Sequence, residues 1–285
     1  MTIVVTGATG HLGRLVVDAL LRDGTPASEI VAAGRSVEKL DDLAAEGVRV
    51  AQIDYTDRAS LEAAFAGADV LLLVSGSEVG QRAAQHANAI DAAKAAGVGR
   101  IVYTSAPGAT TSALILAPEH KATEEYLEAS GIPFTILRNG WYTENYLQSA
   151  RQAVESGTLA SSTGAGRVAS APRSDYADAA AVVLVGSGHE GRVYELAGDY
   201  AWTHAELAEA IAEVTGAEVA FADLSPEDYA AALTSAGLDE GTVGFIVGLD
   251  SNIRDGLLEG GSGDLSGLLG RPTVPLRETL AAELA

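Results

Sequence analysis

The chain has no cysteine among its 285 residues. Disulfide bonds, thiolate catalysis and cysteine-ligated zinc are thereby excluded. Basic residues are scarce as well: 18 Lys and Arg face 39 Asp and Glu, a formal net charge of −21. The few cations are scattered singly, so no basic patch offsets the acid. Such a surface repels nucleic-acid backbones and anionic membranes. No apolar run approaches the roughly 20 residues that a membrane helix requires. Met1–Thr6 lacks the positive n-region of a secretory signal. The expectation is a cytoplasmic protein whose partner is a small molecule, with no nucleic acid and no membrane; a homodimer is left open. Apolar residues are plentiful, at 47%, enough to bury the core of one large domain or of a domain with a dependent lobe.

Short apolar runs and helical patterns alternate through the first half. Strands are expected at 3–5, 30–33, 48–53, 70–74, 101–104 and 134–137. Helices are expected after residue 11 and at 36–46, 58–66, 80–96 and 119–130. Alternation of this kind builds βαβ units and a parallel sheet covered on both faces. The fold class is therefore α/β: a Rossmann-type doubly wound parallel sheet with a smaller C-terminal substrate lobe. Residues 1–140 would form the dinucleotide-binding domain, and 141–285 would mainly form the lobe, closing over the sheet's carboxyl edge. The chain is free to cross back to the sheet near 168–200. Past residue 140 the expected strands are 168–170 and 193–196. The expected helices there are 174–186, 203–215, 226–236 and one starting near Pro275.

Gly7, Gly10 and Gly13 stand in a G-x-x-G-x-x-G pattern between the first strand and the first helix. In that context Gly7 allows a tight turn, Gly10 lets backbone approach a pyrophosphate, and Gly13 lets helix pack on strand. The helix start adds free N–H groups and a positive dipole end. The loop Gly7, Ala8, Thr9, Gly10, His11, Leu12 and Gly13 is thus the expected phosphate site. His11 is read as a backbone contact at the helix start.

An acid at the end of the second strand would hold the 2′-hydroxyl of NAD. None stands between Val31 and Val37; Arg35 and Ser36 are there instead. A guanidinium at that place suits the 2′-phosphate of NADPH. The alternative is an ordinary surface arginine. Asp54 could accept from an adenine amine and Tyr55 could pack on its ring, or Asp54 could be a turn residue. Ser75, Gly76 and Ser77 are small enough to let the chain pass close to a cofactor.

Longer segments carry a resemblance. Gly7–Gly13, Ser75–Arg82 and Leu137–Tyr146 resemble the NmrA-like atypical short-chain dehydrogenases. Within that family they are most similar to the bacterial type 2 NAD(P)H:quinone oxidoreductases, with triphenylmethane reductase a near relative. The likeness continues through Gly188–Gly191 and Val193–Thr203. It implies NADPH as hydride donor, no flavin, and a quinone-like or other delocalised acceptor. It also implies that Asn139 joins Gly7–Gly13, Arg35 and Ser75–Ser77 at the cofactor. Trp141, Tyr142 and Tyr146 would lie near the acceptor, unless these aromatics are core packing.

The broader superfamily's Tyr-x-x-x-Lys pair is missing. Its positions fall on Leu116 and His120, with Lys121 rotated about 100° away on a helix. Reduction of a ketone produces an alkoxide that requires a well-placed acid. A quinone yields an anion stabilised by its own ring. The residues therefore argue against an alcohol dehydrogenase. His120 is the candidate catalytic residue: its imidazole could titrate near neutral pH and donate a proton, or it could orient the nicotinamide ribose, or it is simply hydrogen-bonded on a half-buried helix. His86, His189 and His204 show no ligand spacing, so no metal is expected. Two other readings stay open: a dinucleotide-binding redox sensor that docks on a protein without turnover, and a secondary-metabolism reductase.

Overall fold

Three β-branched residues in a row, Ile3–Val5, form strand β1, and all three are fully buried. A strand covered on both faces reads as a continuous apolar run rather than an alternating one. The structure, a computed structural model, describes residues 1–78 and 80–284; Val79 of the Ser75–Arg82 segment and Ala285 lie outside the described residues. After β1 come α1 (His11–Arg22), β2 (Ile30–Gly34), α2 (Asp41–Ala45), β3 (Arg49–Gln52), α3 (Arg58–Phe65) and β4 (Val70–Leu73). Then follow α4 (Arg82–Ala96), β5 (Arg100–Ser105), α5 (Ala117–Ser130) and β6 (Phe134–Asn139). The second half contributes α6 (Leu147–Ser156), β7 (Thr158–Ser161), β8 (Arg167–Val168), α7 (Arg173–Val185), β9 (Val193–Leu196) and β10 (Trp202–Thr203). It ends with α8 (His204–Thr215), β11 (Ala220–Asp223), α9 (Pro226–Ser235), α10 (Glu240–Arg254), α11 (Asp264–Leu269) and α12 (Leu276–Leu284).

The main sheet has seven strands in the order β3-β2-β1-β4-β5-β6-β9. Val4 lies between Val31 and Leu71, and the pairs from β3 through β6 are all parallel. On the far edge the N–H groups of Ile136 and Gly140 donate to the carbonyls of Arg192 and Leu196. The strand order reverses between β2-β1 and β4, the switch point at whose carboxyl ends open α/β sheets take their ligands. One face of the sheet packs Val4, Leu71, Ile101 and Tyr103 against Leu61, Phe65, Ile90 and Leu127 of α3, α4 and α5. Asp57 caps α3 by accepting from the Ala59 and Ser60 N–H groups.

The chain divides into two compact units. The first comprises Met1–Thr110, Pro118–Asn139 and Arg173–Glu195, so α7 and most of β9 return to it from the second half. The second comprises Thr111–Ala117, Gly140–Pro172 and Leu196–Ala285. It holds two small sheets, antiparallel β10-β8 and parallel β11-β7. Thr203 and Glu206 close a capping box on α8.

Three expectations about elements need correction. The 36–46 helix is a 3-10 turn at Val37–Leu40 followed by the five-residue α2, which begins where Asp41 and Asp42 can face the helix's positive end. Helix α5 starts at Ala117, just before the expected 119. Helices α6, α10 and α11 and strands β7 and β11 lie where no element is expected; Gly241, Gly244 and Gly248 dilute the helical pattern of α10. Among the described residues no helix is long and apolar enough to cross a membrane.

Candidate active site

The turn from β1 into α1 is built from backbone. Gly7 has φ +62, the left-handed region that glycine enters without strain. A Cβ on Gly13 would lie 2.4 Å from the Gly7 carbonyl oxygen, so only glycine fits there. Ala8 N–H donates to the Ala33 carbonyl at 2.9 Å and Gly10 N–H to the Gly7 carbonyl at 2.9 Å. Gly10 caps α1 without a side chain, and no acidic residue stands in the helix's first turn. The first N–H groups of α1 are thus left for an anion. Gly10 and His11 are exposed, Thr9 is half-buried, and Ala8, Leu12 and Gly13 are buried. Ala8 and Leu12 are core residues whose side chains pack inward.

Arg35 follows β2 and is 67% exposed. It is not isolated. Its guanidinium lies 2.8 Å from Glu78 Oε1, and Gln85 Nε2 donates to Glu78 Oε2 at 2.8 Å. No acid stands between Val31 and Val37, but the fold brings one from 43 residues away. Because β1 lies between β2 and β4, this ion pair crosses the carboxyl end of β1.

Asp54 and Tyr55 depart from expectation. Asp54 Oδ1 accepts from Thr56 N–H at 2.8 Å and from Thr56 Oγ1 at 2.7 Å. The Thr56 hydroxyl is the chief cause that lowers the Asp54 pKa. This is a turn carboxylate committed to its own loop. The Tyr55 hydroxyl lies 2.7 Å from Thr6 Oγ1 and 2.8 Å from the Val74 carbonyl it donates to. Its ring packs against the core and edge-on to His86. Through those two hydroxyl bonds Tyr55 ties the ends of β1 and β4 together.

The segment after β4 is held by side chains. Ser75 N–H donates to Thr104 Oγ1 at 2.9 Å. Gly76 N–H donates to His86 Nε2 at 3.0 Å, and the Gly76 carbonyl accepts from Arg82 Nε at 2.8 Å. Arg82, buried on α4, also pairs with Glu119 of α5 at 2.9 Å. Glu119 accepts in turn from Gly80 N–H at 2.9 Å. Ser77 is exposed at the tip. Arg82 stands in the Ser75–Arg82 motif; His86, Thr104 and Glu119 carry no sequence signal, since they lie on other elements.

His120 is 5% exposed on α5, and its Nδ1 lies 2.8 Å from the Tyr103 hydroxyl of β5. Burial, and then the Arg82 charge, lowers its pKa to about 3. This corrects the expectation of a histidine titrating near neutral pH: a buried imidazole without an acidic partner stays uncharged. His86 is lowered to about 3 for the same first reason. Leu116 sits in the turn before α5 rather than on a helix, and Lys121 faces a 3.9 Å pairing with Glu125. Asn139 is buried at the end of β6. Beside it, Arg138 is clamped by Glu124 at 2.6 Å and Glu195 at 2.8 Å, and these carboxylates raise its pKa.

Trp141, Tyr142 and Tyr146 belong to the second unit. The first two are half-buried. Tyr146 is 8% exposed and meets Trp202 edge-on at 4.8 Å and His204 at 5.4 Å. It is a core aromatic of that unit, so the packing alternative holds for Tyr146. Among the described residues no cluster of three or more His, Asp or Glu could hold a metal ion.

The profile of a family described as NAD(P)H-binding matches residues 7–185, from the glycine loop to the end of α7. Quinone oxidoreductase 2 of Escherichia coli is 50% identical over 279 residues, 98% of this chain and 97% of that protein. The chain belongs to the NAD(P)H-binding, NmrA-like reductases. Solved structures agree over the whole length. The NADPH-dependent quinone oxidoreductase of Escherichia coli in complex with NADPH superposes with a TM-score of 0.95 at 50% identity, covering 100% of both chains. Triphenylmethane reductase of Citrobacter sp. gives 0.94 at 40% identity, covering 100% of this chain and 99% of that one. The fold is therefore shared with these NAD(P)-binding reductases.

Proposed function

We propose that this reductase passes hydride from NADPH directly to quinones or similar delocalised electrophiles, with no flavin between them. Half-identity over the full length to a quinone oxidoreductase supports the reading. The observation that carries it is the absent proton-donor pair: Leu116 stands at the tyrosine position, and a buried, neutral His120 stands at the lysine position. Bound NADPH supplies the hydride from its nicotinamide. The chain's residues do the rest. The uncapped start of α1 and the Gly7–Gly13 peptides receive the pyrophosphate. Arg35 pairs with the 2′-phosphate, for which it exchanges Glu78. Thr104, His86 and Arg82 fix the Ser75 and Gly76 backbone beside the cofactor, with Asn139 on the next strand but one. Trp141 and Tyr142 are the proposed aromatic contacts of the acceptor, the first unit being the cofactor part and the second mainly the acceptor part.

The acceptor preference follows from acidity. A quinone that has taken up hydride holds its charge in its own ring, so water can complete protonation. A simple ketone forfeits the roughly 10²–10⁴-fold that a positioned acid provides. NADPH consumption measured against quinones, cationic dyes and unactivated ketones tests this. Turnover with quinones and little with ketones is expected. His120→Ala should slow quinone turnover by less than about a hundredfold. Efficient ketone reduction, or activity that requires added flavin, would overturn the reading.

A further inference from the structure

Arg35 and Glu78 meet at 2.8 Å, but the two are held unequally. Arg35 leaves the end of β2 with a side chain that is 67% exposed. Glu78 is tied to the start of α4 at two points. Its carbonyl accepts from Gln81 N–H at 3.2 Å. Its Oε2 accepts at 2.8 Å from Nε2 of Gln85, a residue only 6% exposed. Its Oε1 is the oxygen that faces Arg35. The long exposed guanidinium is therefore the partner that can swing, while the carboxylate stays where Gln85 holds it. Asp54, whose carboxylate feels the Arg35 charge, is committed to Thr56 instead. Where a Rossmann sheet binds NAD, a carboxylate at the end of β2 accepts from the ribose 2′-hydroxyl; where it binds NADP, an arginine nearby takes the 2′-phosphate. Here the arginine stands after β2, and the fold sets a carboxylate against it from the segment after β4.

We propose that Glu78 is the second half of the cofactor reader: its Oε1 accepts from the adenosine ribose 2′-hydroxyl, so that the site also takes the reduced dinucleotide that lacks a 2′-phosphate, NADH. The proposal rests on the reading above in which Arg35 meets the 2′-phosphate of NADPH. The two ligands then use the pair in opposite ways. An ionised carboxylate oxygen accepts more than one hydrogen bond, so a 2′-hydroxyl is taken with the ion pair intact. A 2′-phosphate draws the guanidinium away from Glu78. The carboxylate, anchored by Gln85, cannot follow and remains as a like charge beside the phosphate. Glu78 thus favours NADH and opposes NADPH, and Arg35 does the reverse. The acid that the end of β2 lacks is supplied by the neighbouring crossover, and the preference between the two cofactors is the balance of one ion pair.

Titrations followed by nicotinamide fluorescence test this without turnover. Glu78→Ala should weaken NADH about five- to tenfold and tighten NADPH about two- to fivefold, opposite signs from one substitution. Glu78→Gln keeps an oxygen acceptor without the charge. It should match the Ala variant on NADPH and lie between that variant and the parent on NADH. High salt should erase the NADPH gain and leave the NADH loss. Displacement of NADH by 5′-AMP and by 2′-deoxy-AMP isolates the contact. The missing hydroxyl should cost about five- to tenfold in the parent and less than about twofold in Glu78→Ala. A parent protein that shows no NADH binding overturns the proposal outright. So does an NADH affinity that Glu78→Ala leaves unchanged or improves, which would make Glu78 a plain ion-pair partner of Arg35. An equal loss of both cofactors also overturns it, since Glu78 would then only prop its loop. Equal losses in Arg35→Ala would overturn the 2′-phosphate reading and this proposal with it. Selective loss in Arg35→Ala without opposite signs in Glu78→Ala overturns the proposal alone.

Discussion

The loops after β1 and after β4 flank the same switch point and are made in opposite ways. The first is held by its own peptides: Gly7, Ala8 and Gly10 bond to one another and to β2, and no side chain takes part in its cap. The second is held by side chains that reach it from elsewhere: Thr104 from β5, His86, Gln85 and Arg82 from α4, and Glu119 from α5. A backbone-built loop presents donors to any phosphate and has little room for change. A loop built by side chains can be tuned one contact at a time.

The sharpest break is expected in the backbone-built loop. Gly13→Val drives carbon into the Gly7 peptide, with the first contact at 2.4 Å. Stability should fall by about 3 kcal/mol in chemical denaturation, and NADPH binding should be lost. Next comes Arg35→Ala, which should weaken NADPH by about 1.5–3 kcal/mol and leave NADH nearly unchanged in parallel titrations. Equal losses for both cofactors would show that Arg35 does not read the 2′-phosphate. In the side-chain-built loop, His86→Leu leaves the Gly76 N–H without its acceptor. A cost of about 1–2 kcal/mol in NADPH affinity is expected, and His86→Gln should recover part of it by supplying a carbonyl.

The same histidine gives a pH test. The folded-state pKa values of His86 and His120 are lowered to about 3, below the usual value of 6.5. Their contribution is therefore fully present above pH 6.5 and is lost as pH falls from there towards 3, because the unfolded chain takes up protons first. Between pH 6.5 and 5.5 the loss should be on the order of 1 kcal/mol per histidine. Denaturation curves of His86→Gln and the parent protein should diverge over that interval. The smallest effect expected is Glu78→Gln. Releasing Arg35 from an exposed ion pair should tighten NADPH by about two- to fivefold at low salt, and high salt should erase the difference.

The contrast between the loops also explains what could be read in advance. Glycine spacing and the alternation of apolar runs with helical patterns are local signals, so the glycine turn and the parallel sheet were legible from the residues, while a crossing back to the sheet was placed only broadly, near 168–200. Glu78 beside Arg35 was not legible, because 43 residues separate them and only the crossing of β1 by the side chains joins them. His86 showed no ligand spacing and was set aside; its part is to hold one backbone N–H, which no spacing reveals. Asp54-Tyr55 looked like an adenine contact because it ends a strand at the right edge. Tertiary packing instead turned Tyr55 into the core, onto Thr6 and Val74. Tyr146 belongs to a motif with two neighbours that stay half-buried, and only the ring contacts with Trp202 and His204 separate it from them.

The seventh strand bears on how the chain is made. β9 reaches the sheet only after Gly140–Pro172 has gone to the second unit, and α7 returns just before it. During synthesis the outer edge of β6 therefore waits, with its row of peptide donors and acceptors open, until residues 193–196 have emerged. An unpaired edge on an otherwise assembled parallel sheet is a template for strands of other chains. Nascent chains halted between β6 and β9 would be the ones most in need of a chaperone, and completion of the sheet is delayed until well past the middle of translation.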